Sequence, residues 1–105
     1  MGERENIVTG LKAFRQDLNR TIHVERMIFF GSRVSGKPHP DSDIDLLIVS
    51  DYFEGKRSKR ALGFRSIWNL DYPVDFLCYT SEEFERLSKQ VSIVREAVET
   101  GIEIN

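Results

Sequence analysis

The chain has 105 residues, 40% of them hydrophobic and 30% charged, with a formal net charge of −2. That length and balance suit one folded domain around one core, 1–105, and exclude a disordered chain. A pI near 5.7 argues against broad non-specific binding of nucleic acid, and no apolar run approaches the roughly 18 residues of a membrane span. The start, Met1-Gly2-Glu3-Arg4-Glu5-Asn6, lacks the layout of a secretory signal and has Asn6 where a myristoylation site carries Ser or Thr. The single cysteine, Cys78, permits no internal disulfide. These features point to a reducing, cytoplasmic setting.

Ile7, Leu11, Phe14 and Leu18 recur at the spacing of one helix face and predict an amphipathic helix near 4–20. Arg26 to Phe30 reads as a strand ending at Gly31, and Ser32 to Gly36 as a tight turn or a short helical piece. Lys37-Pro38-His39-Pro40 cannot continue a helix and is expected to be a loop. Asp43 to Ser50 reads as a second strand with both faces covered. A polar loop from Asp51 to Arg60 leads into a predicted helix over roughly Ser58 to Leu70, with Ala61, Phe64, Ile67 and Trp68 inward. Val74 to Tyr79 is the third strand, and Thr80 with Glu83 forms a capping-box pattern that starts the next helix. A last helix is expected over about Val91 to Thr100, with Val94, Ala97 and Val98 inward and Gly101 as its stop.

Against this background the acidic residues stand out. Asp43 and Asp45 are two apart in an apolar strand, so their side chains point to one face. Two carboxylates held close in poorly compensating surroundings repel each other and resist ionisation. A hard divalent cation with phosphate oxygens removes that penalty and suits a Mg²⁺ site. Asp75 shares a strand face with Leu77 and Tyr79. It joins the pair if its strand lies beside the second, and is otherwise an exposed edge residue. Gly31 allows close approach of backbone to a phosphate, Ser32 adds a hydroxyl donor, and Arg33 offers charge neutralisation. Gly-Ser after a strand is also a common turn, so its weight comes from the carboxylates that follow.

Two rival motifs fail. Gly31-x4-Gly36-Lys37 has Pro38 where a P-loop needs Ser or Thr, and Pro38 and Pro40 forbid the helix that must follow. Asp41-x-Asp43-x-Asp45 has Leu46 and Tyr52 where a calcium-binding loop needs Gly and Glu. The run Lys56-Arg57-Ser58-Lys59-Arg60 is either a solvated loop or a contact to phosphate or an acidic partner. His23 and His39 have no evident partner, and Cys78 reads as a buried strand residue.

The order Phe30-Gly31-Ser32-Arg33-Val34-Ser35-Gly36, then Asp41-Ser42-Asp43-Ile44-Asp45-Leu46-Leu47, then Val74-Asp75-Phe76, resembles the minimal nucleotidyltransferases of the DNA polymerase beta-like superfamily. Their signature is Gly-Ser, a spacer, Asp-x-Asp and a later Asp. Arg95 to Gly101 is similar to the family's last helix, so the resemblance spans roughly residues 7–104. It implies an α+β fold, a small mixed sheet with core strand order 1-2-3 and flanking helices. It implies that Asp43 and Asp45 hold two Mg²⁺ ions, that Asp75 completes one of those sites, and that Gly31 and Ser32 bind the β- and γ-phosphates of a nucleoside triphosphate, ATP being the one expected. An acceptor hydroxyl then attacks the α-phosphate in line. Small members of the family often pair with a helical HEPN-class toxin ribonuclease and act as antitoxin by adding AMP to it. The short chain and acidic pI favour a protein or small-molecule acceptor over a nucleic acid. The alternative is a non-catalytic module of the same fold that binds nucleotide or occludes a partner. Retention of Ser32 and all three carboxylates favours the enzyme.

Overall fold

The computed structural model describes residues 2–36 and 41–105; the loop expected at Lys37–Pro40 lies outside them. The elements in order are α1 (Glu3–Leu18), β1 (Arg26–Phe30), α2 (Ser32–Ser35), β2 (Ile44–Val49), β3 (Val74–Tyr79), α3 (Ser81–Ser88), α4 (Ile93–Thr100) and β4 (Ile102–Glu103). The sheet runs β3-β2-β1-β4. β2 and β3 are parallel, while β1 is antiparallel to both β2 and β4. The core order 1-2-3 is therefore as expected, and β4 adds a short strand beyond β1.

Alternation along the strands splits the core into two layers. Met27, Phe29, Ile44, Leu46, Ile48 and Val74 face α1, packing with its Ile7, Leu11, Phe14 and Leu18. Ile28, Phe30, Leu47 and Val49 face the other way, onto Val94 and Ala97 of α4. Phe76 is the hinge of an aromatic group on the α1 side, with ring centroids 5.8 Å from Phe14, 5.6 Å from Phe64 and 5.7 Å from Trp68. Each such pair adds roughly 0.5–1.5 kcal/mol beyond its buried area. The Trp68 indole N–H donates to the Tyr72 carbonyl at 2.9 Å, so burying the ring leaves no polar atom stranded.

The helix expected over Ser58–Leu70 does not form. Two 3₁₀ turns take its place, at Arg57–Lys59 and Phe64–Ile67, and a third, Asp51–Phe53, lies in the stretch expected to be a loop. Gly63 sits at φ +88, a left-handed conformation that ends one turn before the next begins. Ala61, Phe64, Ile67 and Trp68 still pack on the α1 side, so the apolar pattern identified inward side chains but not the element that carries them. The last helix is also shorter than expected. It begins after Ser92, whose hydroxyl accepts from the Arg95 amide at 3.1 Å, and Val98 is 42% exposed rather than inward. Val94 and Ala97 set the buried stripe, and the residue after Ala97 is rotated about 100° away from it. The capping box at Thr80 and Glu83 is present as predicted. No helix among the described residues is long and apolar enough to cross a membrane.

Candidate active site

Parallel pairing places Asp45 of β2 directly beside Asp75 of β3, and antiparallel pairing places Phe30 beside Asp45 on the other edge. Strand neighbours lie about 4.8 Å apart, so the end of β1, the start of β2 and the start of β3 converge on one point. Asp45 and Asp75 share the sheet face that α4 covers, by the same alternation that sends Leu47 and Leu77 there. Asp43 lies two residues before Asp45, just outside β2 and exposed. The strand begins one residue later than the sequence suggests, with the Ile44 amide donating to the Pro73 carbonyl at 2.8 Å.

Burial pushes the Asp45 carboxyl above its ordinary value, and the charges of Asp75, Asp43 and Glu96 push it further the same way. Three carboxylates besides its own therefore act on Asp45. Glu96, from α4, is the one that sequence reading missed. Its only sequence signal is its place beside the buried Ala97, which brings that part of α4 against the sheet.

The turn after β1 is shaped around Asp45. Gly31 has φ +93, and a Cβ there would collide with the Asp45 carboxylate. Its carbonyl accepts from the amides of Val34 and Ser35, both at 3.0 Å, which turns the chain into α2. Ser32 is exposed at the start of that turn. Arg33 points elsewhere. Its side chain is 3% exposed, bonded from Nη1 to Glu3 at 2.6 Å and from Nε to the Ser42 carbonyl at 2.8 Å. Its guanidinium also stacks 4.7 Å over the Tyr72 ring. Arg4 adds a bond from Nη1 to the Val34 carbonyl at 3.1 Å. The first turn of α1 and the chain just before Asp43 thus clamp α2 between them, and Arg33 is the clamp rather than a free cation.

Among the described residues, no group of three His, Cys, Asp or Glu side chains could hold a metal on its own. The donors present are nevertheless the right ones for a hard divalent cation, which takes one or two carboxylates and fills the rest of its shell with phosphate oxygens and water. Such an ion would relieve the repulsion that raises Asp45. Asp45 with Asp75, and Asp43 beside them, fit that role.

Residues 9–102 match the family model described as a nucleotidyltransferase domain. A protein of Haemophilus influenzae named "Probable protein adenylyltransferase MntA" is 38% identical over 80 residues, which cover 70% of this chain and 68% of that one. A Sulfolobus solfataricus crystal structure described as a candidate nucleotidyltransferase superposes with a TM-score of 0.60 at 22% identity, covering 77% of this chain and 73% of that chain. It shares the fold of a mixed sheet flanked by helices. On the match that spans most of its length, and on the relative that supports it, this chain belongs to the minimal nucleotidyltransferase family.

Proposed function

We propose that the protein transfers AMP from ATP to a hydroxyl on an acceptor protein, in the cytoplasm. The observation that carries the proposal is the side-by-side placement of Asp45 and Asp75 against a turn whose Gly31 leaves room for the Asp45 carboxylate. The name of the Haemophilus relative, a probable protein adenylyltransferase, favours AMP and a protein acceptor. A helical HEPN-class partner, as the resemblance implies, is the first acceptor to test.

In this reading the Gly31–Ser32 turn receives the β- and γ-phosphates. Gly31 admits them close to the backbone and the Ser32 hydroxyl donates to an oxygen. Asp43, Asp45 and Asp75 would hold Mg²⁺, in line with the general use of divalent metals in the family. When bound, the metal would neutralise charge on the phosphates and favour the leaving pyrophosphate. Asp75 accepts the proton of the acceptor hydroxyl as its oxygen bonds to the α-phosphorus and the bond to pyrophosphate breaks. Arg33 acts only through the loop it holds, keeping Ser32 and Asp43 in register.

The test is mass spectrometry of a co-expressed acceptor after incubation with ATP and Mg²⁺, with ATP affinity measured by calorimetry. The wild type adds one AMP. Asp75→Asn keeps shape and loses charge and basicity, so it still binds ATP while transfer falls by orders of magnitude. Transfer at the wild-type rate in Asp75→Asn would leave Asp75 an ordinary edge-strand residue and end this mechanism.

A further inference from the structure

β3 is the outer strand of the sheet on the side away from β1, so Asp75 has the Gly31–Ser32 turn on one side and the turn-rich segment on the other. A recess of about 420 Å³ opens there, with Asp75 and Phe76 on its sheet side and Lys59, Leu62 and Arg65 opposite. A second recess of about 440 Å³ continues from it through Ser58, Lys59 and Leu62 towards Lys56 and Tyr52. In-line displacement brings the attacking group from the side opposite the leaving group. If, as proposed, pyrophosphate leaves towards Gly31–Ser32, a hydroxyl attacking in line would approach Asp75 from the side of this recess.

The recess carries a distinct charge. Among the described residues, Lys56, Arg57, Lys59 and Arg65 take part in no ion pair, whereas Arg60 in the same segment is bonded to Glu83 at 2.5 Å. Lys56 lies 4.7 Å over the Tyr52 ring, and Arg65 donates to the Val74 carbonyl at 3.4 Å. Exposed cations grouped on one wall in a chain whose net charge is −2 give that wall a local positive field that attracts an acidic group. Arg57 adds backbone strain at φ +37, of the kind that persists at binding surfaces. Leu62, 75% exposed, supplies an apolar contact between the cations.

We infer that this recess docks the acceptor, and that the acceptor presents its hydroxyl within an acidic stretch of protein chain, with Lys59 and Arg65 on its carboxylates and Asp75 at the hydroxyl. This inference rests on the proposed transfer reaction for the direction of attack, but its recognition chemistry is testable without turnover. Charge complementarity with salt-sensitive affinity is its signature.

The experiment uses three labelled probes and fluorescence anisotropy, without nucleotide: a peptide with a central tyrosine among glutamates, the same peptide with lysines in their place, and an oligouridine RNA. The acidic peptide binds the wild type at least about tenfold more tightly than the basic one, and this preference shrinks as salt rises. Lys59→Glu, an exposed position outside the core, removes or reverses the preference, and Arg65→Gln weakens it with the charge lost but the polar head kept. Equal binding of the two peptides, unchanged acidic-peptide affinity in Lys59→Glu, or RNA bound in preference to the acidic peptide would each overturn the inference. ATP affinity in the same samples reports on the transferase reading separately, since absent ATP binding strikes at that reading and leaves the peptide preference to stand or fall alone.

Discussion

Position 31 has no side chain, and the space its Cβ would occupy is filled by the carboxylate of Asp45. The turn and the acidic strand are therefore fitted to each other through one missing methyl group. The left-handed backbone at Gly31 adds a second reason for glycine, independent of space.

Gly31→Ala meets both penalties. Backbone strain alone costs about 1–3 kcal/mol, and the carboxylate must also move. The variant is expected to melt lower than wild type and to lack the thermal stabilisation that ATP with Mg²⁺ is expected to give wild type. Scanning calorimetry with and without ligand measures both. A variant that melts lower yet keeps its full ligand shift would show that the turn is structural only.

Asp45→Asn should behave in the opposite way without ligand. The Asp45 pKa is raised in the folded state, so its ionisation opposes folding. That penalty is absent below its ordinary value of 3.8 and grows as pH rises through the raised folded value. In EDTA at neutral pH the Asn variant is expected to be as stable as wild type or more so, while losing most of the Mg²⁺–ATP stabilisation. A large loss of stability in EDTA would mark Asp45 as a structural residue.

Arg33→Lys keeps the charge but loses the fork that reaches Glu3 and Ser42 together and the flat face over Tyr72. The expected cost is about 1–3 kcal/mol in urea unfolding. Its ATP affinity should fall only as far as the clamp on α2 loosens. If stability is unchanged and ATP affinity collapses, Arg33 is a phosphate ligand after all.

Glu83 sets the acid limb of stability. The Arg60 guanidinium, with the Thr80 amide behind it, holds the Glu83 carboxyl down at about 2 from an ordinary 4.5. A depressed carboxylate stabilises fully above its unfolded value and loses that contribution as pH falls through its folded one. Wild type is therefore expected to lose stability between pH 4.5 and about 2, and Glu83→Gln to show a shallower fall there. At neutral pH the variant should lose roughly 1 kcal/mol through the weakened cap and ion pair. Melting temperatures across that pH range decide it.

What the sequence made legible follows from periodicity. The alternation in Ile44–Val49 and Val74–Tyr79 told which side chains share a face, and so put Asp45 within reach of Asp75 once the two strands pair. Thr80 and Glu83 carried their own local geometry. Elements fixed by distant packing were less legible. An inward pattern at Ala61, Phe64, Ile67 and Trp68 fits a helix and a series of turns alike, and Gly63 decides between them through a positive φ that a mid-pattern glycine does not announce. β4 is two residues long, too short to show alternation. The burial of Arg33 depends on Glu3 and Tyr72, which nothing in the local sequence links to it. Glu96 comes to Asp45 through the packing of α4 on the sheet, which is likewise a tertiary fact.

β2 has hydrogen-bonded neighbours on both edges and a buried cluster on each face. The segment from Asp51 to Ile67 is held by isolated 3₁₀ turns and a few aromatic anchors. Amide protons of β2 therefore exchange with solvent only when the sheet itself opens, while those of the turns exchange through small local openings. Asp45 on β2 is thus held from every side, while the turn segment across from Asp75 is held by far fewer contacts. Substitutions in that segment are therefore expected to cost β2 little stability, as sites far apart and without shared partners usually act independently.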